Sequence, residues 1–149
     1  MRATFGWYKD QWLDIDKILI SANNRGLKFG DGIFETILIS KNKPILFDEH
    51  LKRLKKSSKL LNINLKINKF TLIKLINDGI RKLSLQNDQY GSVRINYSRG
   101  VNKDRSLKIN STLKTKDLEN VWLEFFRIKP NFSPISVFIS QIEKRNEFS

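Results

Sequence analysis

Alternation and helical periodicity divide the chain into short strands and two helices. Phe5-Gly6-Trp7-Tyr8 and Trp12-Leu13 flank the polar stretch Lys9-Asp10-Gln11, which predicts a hairpin. Ile18-Leu19-Ile20 predicts a further short strand, and Ser21 to Lys28 a polar loop. Ile33 to Ile39 is a strong strand candidate. The turn Ser40-Lys41-Asn42-Lys43-Pro44 returns it into Ile45-Leu46-Phe47 as a second hairpin. Asp48 is placed as an N-cap, with Glu49 in the first helical turn. Leu51, Leu54, Ser58 and Leu61 then recur every three or four positions as a buried stripe, while Lys52, Lys55, Lys56 and Lys59 take the wet side. A second helix is expected from about Lys69 to Leu83, capped by Asn68. Its apolar face is assigned to Phe70, Ile73, Ile76, Ile80 and Leu83, with Gly79 as a weak point. Val93, Ile95 and Tyr97 alternate with Arg94, Asn96 and Ser98, which predicts a strand with one buried and one polar face. Arg99-Gly100 ends it. A charged loop from Val101 to Asp117 precedes another strand at Val121 to Ile128.

The pattern changes after Lys129. Pro130-Asn131-Phe132-Ser133-Pro134 reads as a linker. Ile135 to Ser140 then reads as a strand with nothing after it to pair with. The expectation is an α+β fold. A small N-terminal domain at 1–129 holds an antiparallel sheet and two helices, and 130–149 begins a second, incomplete domain. No internal repeat is visible.

Composition narrows the chemistry. Hydrophobic residues make up 40% of 149, enough for a real core and too many for a disordered tail. No apolar run approaches the roughly 18 residues of a membrane span, and Met1 to Trp12 holds no signal-peptide core. A cytoplasmic protein without membrane partners is therefore expected. Without cysteine, thiolate nucleophiles and Cys-ligated metals are excluded. The single histidine, His50, excludes a multi-histidine metal site. The charge of +13 invites a nucleic-acid reading. However, the 19 lysines and nine arginines are dispersed, with no interleaving of basic and aromatic residues along one face. Nucleic acid is not expected as a partner.

Three segments can carry chemistry. In Arg25-Gly26-Leu27-Lys28-Phe29-Gly30-Asp31-Gly32-Ile33-Phe34-Glu35-Thr36, paired glycines before a strand permit positive φ and close backbone approach, though Gly-Asp-Gly alone is equally a plain β-turn. His50 and Arg53, three apart, share a helix face. The arginine either forks onto a phosphate or is a solvated charge at a helix start. Ser98-Arg99-Gly100 ends a strand, and with Arg105 just beyond it offers two arginines that bind a carboxylate or nothing.

In this order and spacing the segments resemble the class IV aminotransferase family, the pyridoxal-phosphate enzymes of fold type IV. The resemblance rests on Arg25 to Thr36, on His50-Leu51-Lys52-Arg53-Leu54 about fifteen residues later, and on Ser98-Arg99-Gly100. It spans essentially the whole chain. Gly-Asp-Gly with Phe-Glu-Thr is more similar to the lyases and the D-amino acid enzymes than to the branched-chain enzymes. The opening Gly6-Trp7-Tyr8, with the Phe-Glu-Thr and Ser-Arg-Gly phrases, most resembles the aminodeoxychorismate lyases within that family.

The resemblance implies a pyridoxal 5'-phosphate cofactor, a small-molecule substrate and a homodimer in the complete enzyme. Arg53 matches the arginine that holds the cofactor phosphate. Phe29 and Phe34 match aromatic positions on the substrate side, and Arg94 a strand position that is sometimes arginine. Arg105 falls near an arginine that receives a substrate carboxylate in D-amino acid enzymes, but Ser106 follows it where the lyases usually have glycine. The implied reaction is pyruvate elimination from aminodeoxychorismate, giving 4-aminobenzoate for folate synthesis. The alternatives are transamination, of D-amino acid or branched-chain type, and a non-catalytic anion-binding subunit. The family's Schiff-base lysine is expected beyond Ser149, since Lys144 matches a different position. The chain alone is accordingly expected to be inactive.

Overall fold

The computed structural model of the chain describes residues 3–101 and 120–138. The loop expected from Val101 thus lies, beyond Val101 itself, outside the described residues, as do Arg105 and Lys144.

Strands β1 (Ala3–Tyr8), β2 (Gln11–Asp14), β3 (Gly32–Ser40), β4 (Lys43–Pro44), β5 (Tyr90–Ser98) and β6 (Asn120–Ile128) form one sheet in the order β2-β1-β6-β5-β3-β4. Every pairing is antiparallel. Both hairpins form as expected. Lys9 and Asp10 (φ 48° and 61°) and Lys41 and Asn42 (φ 49° and 57°) make two-residue turns of the mirror-image type that matches strand twist. The second hairpin is shorter than its sequence suggests. Leu46 turns left-handed at φ 53° and launches helix α2 (Phe47–Leu60), so Ile45 contributes only one more bond, to the Leu38 carbonyl at 2.8 Å. The N-cap position is therefore Leu46, not Asp48. Asp48 sits in the first turn and pairs with Lys69 at 2.6 Å, tying the starts of the two long helices together.

Helix α3 (Lys69–Leu83) has the expected bounds, and Asn68 Oδ1 caps it by accepting from Thr71 N at 2.8 Å. Its buried face is Leu72, Ile76, Gly79, Ile80 and Leu83, whereas Phe70 is exposed. Leu72, Ile76, Ile80 and Leu83 form one stripe, three of them as expected, and Phe70 falls outside it. Gly79 lies at the edge of that stripe, where the Phe125 ring takes the place of a side chain. A Cβ there would come 2.1 Å from Cζ.

Helices α2 and α3 cover one face of the sheet. Leu51, Leu54, Leu72, Ile76, Ile80 and Leu83 meet Ile37, Ile39, Val93, Ile95, Leu123 and Phe125 in one core. Among the described residues no long helix covers the opposite face. The strand expected at Ile18–Ile20 is absent. A short 3₁₀ turn at Ile15–Lys17 leads into coil there, and Ile18 packs over Gly6, where a Cβ would come 2.6 Å from Ile18 Cδ1. The polar loop expected at Ser21 to Lys28 instead contains helix α1 (Arg25–Phe29). Asn24 caps it and Gly30 ends it at φ 65°.

Ile135 to Phe138, expected as the start of a strand, have no regular structure and are exposed; residues 139–140 lie outside the described set. Their backbone groups find no neighbouring strand among the described residues.

Candidate functional site

The phenylalanine–glutamate pair in the middle of β3 divides two clusters. Alternation along the strand sends Phe34 to the open face and Glu35 to the helix face. Asn96 and Trp122 lie level with Phe34 across β5 and β6; Arg94 and Glu124 lie level with Thr36.

On the helix face Glu35 is buried, 4% exposed, and meets the start of α2. Arg53 donates to it twice, Nε to Oε1 at 2.6 Å and Nη2 to Oε2 at 2.5 Å. His50 Nδ1 lies 2.8 Å from Oε2. His50 and Arg53 do share a face, with Nδ1 and Nη2 3.2 Å apart. Burial works against the Glu35 charge, but the bonds and charges of Arg53 and His50 outweigh it, so its carboxyl stays ionised below the usual range. The Arg53 side chain is 65% exposed, and its Nη1 bonds to no other described residue. A cation with an open donor edge fits a phosphate.

On the open face the Arg94 guanidinium lies over the Phe34 ring, 3.8 Å from its centroid. Arg94 Nε donates to Asn96 Oδ1 at 2.9 Å, and Asn96 Nδ2 donates to Glu124 Oε1 at 3.0 Å. Trp122 Nε1 donates to the same oxygen at 2.7 Å. The face expected to be merely polar is therefore a bonded network with Asn96 buried in it, and Ser98, also buried, accepts from Gly100 N at 3.2 Å. Asn24, Gly30, Gly32, Phe34, Asn96 and Trp122 line a concavity of about 490 Å³ at this end. A second cavity of about 590 Å³ lies at the other end of β5, lined by Asp88, Tyr90, Arg127 and Lys129 among others, away from Phe34 and Arg53.

A third cluster fixes the glycine-rich segment. Asp31 accepts from Arg25 Nε at 2.6 Å and from Arg99 Nε at 2.9 Å, with both arginines buried. Burial again opposes the charge, and the two guanidinium partners hold the Asp31 carboxyl below its usual value. Arg99 also donates to the carbonyls of Leu61 and Asn62, at 2.5 and 2.7 Å, just past α2. Arg99 is thus structural rather than a free carboxylate receptor. Gly32 shows the close approach expected of this segment, since a Cβ would come 2.9 Å from the Tyr97 carbonyl. A plain β-turn does not describe it.

Of the sequence-expected site residues, Phe34 and Arg94 meet directly. Arg53 stands on the other side of the same strand. Phe29 ends α1 with Arg25 over its ring at 5.1 Å. Asn96, Trp122, Glu124 and above all Glu35 were not singled out. The signal for Glu35 was available: it occupies the row Ile33-Glu35-Ile37-Ile39, and a carboxylate in an apolar row needs a partner.

Residues 32–130 match the model of the amino-transferase class IV family. The chain belongs to that family. It is 26% identical over 125 residues to an aminodeoxychorismate lyase of Bacillus subtilis, covering 84% of this chain and 41% of that protein. It is 28% identical over 98 residues to a D-alanine aminotransferase of Listeria innocua, covering 65% and 32%. The fold matches a hypothetical aminotransferase from Mycobacterium tuberculosis, solved in its PLP-bound form, with a TM-score of 0.65 and 21% identity. That match covers 81% of this chain and 38% of the other. The chain thus spans about two fifths of the lyase's length. The antiparallel sheet with its helices is part of a fold type IV architecture. Among the described residues no helix is long and apolar enough to cross a membrane, and no group of three metal-ligating side chains occurs.

Proposed function

We propose that this chain supplies the cofactor-phosphate contact and one substrate wall of a pyridoxal-phosphate-dependent enzyme that eliminates pyruvate from aminodeoxychorismate. Residues 1–129 are the small domain, and 130–149 lead into a larger one. The observation that carries the reading is the placement of Arg53. Its free donor edge stands beside the stretch of β3 that β4 does not cover, since β4 pairs only with Ile39 and Ser40. Phe34 is the next residue along that strand, so a ligand lying across the edge reaches Arg53 on one side and the Phe34–Arg94 pair on the other.

Pyridoxal phosphate, when bound, supplies the electron sink for breaking bonds at the substrate's α-carbon. The residues of this chain bind and orient. Arg53 holds the phosphate through charge-assisted bonds. Phe34 offers a flat apolar surface. Arg94, held by that ring and by Asn96, presents a fixed cation to a substrate carboxylate. Phe29 and Arg105 belong to the same substrate side on this reading. The longer match to the Bacillus subtilis lyase supports elimination, and the match to the Listeria innocua enzyme supports transamination as the second reading. An assay of the native gene product with pyridoxal phosphate separates them. Equal amounts of pyruvate and 4-aminobenzoate from aminodeoxychorismate are expected. Keto-acid-dependent amino transfer without pyruvate release would replace the first reading by the second.

A further inference from the structure

Glu35 poses a puzzle at an anion site, because a carboxylate beside the anion-binding arginine should repel the anion. The geometry resolves it. A guanidinium has five N–H groups on a rigid plane. Glu35 takes the Nε–Nη2 side of Arg53 and no more. The two N–H groups of Nη1 remain on the outer edge, while Nη2 also lies 3.2 Å from His50 Nδ1. The carboxylate itself cannot wander. It is buried at mid-strand, and His50 Nδ1 is 2.8 Å from the oxygen that also takes Arg53 Nη2.

We infer that Glu35 is the positioning residue of this site: it fixes the exposed Arg53 side-on so that the Nη1 edge faces an incoming phosphoryl group, with His50 holding Glu35 in turn. The inference rests on the reading of Arg53 as the phosphate contact. Without Glu35 a long, largely exposed arginine samples many rotamers, and each must be frozen when the anion binds. With Glu35 that ordering is complete beforehand. The pair is neutral overall, so its anion affinity comes from directed donors, while the chain's charge of +13 supplies the general attraction.

Positioning and plain charge predict opposite signs. Removing a negative charge near an anion site tightens binding if Glu35 is only a competing charge. It weakens binding if Glu35 is a positioner. The experiment titrates the 149-residue chain with inorganic phosphate and follows the Arg53 Nε–Hε signal and the backbone amides by ¹⁵N NMR. Glu35→Gln should weaken phosphate binding about tenfold, the scale of one charge-assisted bond, and should abolish the shifted, slowly exchanging Nε–Hε signal. In an Arg53→Ala background the same change should have no effect on phosphate affinity. Glu35→Asp should recover part of the loss. Unchanged or tighter binding by a folded Glu35→Gln chain would overturn the inference. If Glu35→Gln does not fold, His50→Gln carries the test, with weaker binding expected and unchanged binding contradictory. Wild-type affinity in Arg53→Ala alone would instead overturn the assignment of Arg53, and with it the role given to Glu35.

Discussion

Glu35 and Arg53 form a bidentate pair across the β3–α2 interface in which the acid is 4% exposed and the base 65%. The buried partner is fixed by the sheet, and the exposed partner is fixed by it. The pair therefore fastens α2 to β3 and at the same time leaves a cation at the surface.

This arrangement sets the acid response. Glu35 and Asp31 both titrate below their ordinary values, so each stabilises the fold above the unfolded-state pKa. That stability is lost as pH falls through the lower, folded-state values. The melting temperature should be nearly level from pH 7 to about pH 5 and then fall, since unfolded carboxylates titrate near 4. Glu35→Gln should lower stability at pH 7 and make the acid limb shallower. Thermal melts at a series of pH values check this, and a mutant curve parallel to wild type would contradict it.

Asp31→Asn should cost more than an ordinary surface change. It leaves Arg25 and Arg99, both buried, without their common counter-charge. Breaking a buried pair by removing one partner costs about 3–5 kcal/mol. The exposed Asp14–Lys17 pair is the control, because Asp14→Asn should shift stability by well under about 1 kcal/mol. Urea unfolding of the two variants gives the comparison.

Gly79→Ala should destabilise the chain even though alanine favours a helix by about 1 kcal/mol. The new methyl would meet the Phe125 ring, which is fully buried and packed against Phe5 and Trp12 at 5.3 and 5.6 Å. Overpacking of this kind costs about 1–3 kcal/mol. Adding Phe125→Leu should relieve part of the cost. A stabilised Gly79→Ala chain would mean that this helix–sheet contact is wrongly placed.

Phe34→Leu should leave the fold nearly unchanged, because Phe34 is exposed. It removes the ring beneath Arg94. In the native gene product we expect a raised KM for the substrate with a smaller change in kcat. Steady-state kinetics of the variant test this, and an unaltered KM would take Phe34 and Arg94 out of the substrate wall.

Local physics explains what was legible beforehand. Asn68 caps α3 by contacts within its own turn, and the two hairpin turns need only their own residues, so sequence alone locates them. The pairing of Phe34 with Arg94 required the register of β3 against β5, which family resemblance hinted at and periodicity did not. Glu35 was overlooked because its partners lie fifteen and eighteen residues away on another element. Phe70 and Gly79 were misjudged for a related reason. Periodicity finds Ile76, Ile80 and Leu83 on the buried side of α3, but that Gly79 belongs there depends on the Phe125 ring of a distant strand. Ile135 to Phe138 have strand-like composition, but composition cannot supply the neighbouring strand.

The central claim is that Arg53 recognises the cofactor's phosphate. Its most direct test compares the affinity of the native gene product for pyridoxal 5'-phosphate and for pyridoxal, with and without Arg53→Ala. Wild type should prefer the phosphorylated form. The variant should lose roughly ten- to a hundredfold of that preference, the value of one or two charge-assisted bonds, with little change toward pyridoxal. An undiminished preference for the phosphate in Arg53→Ala would contradict the account.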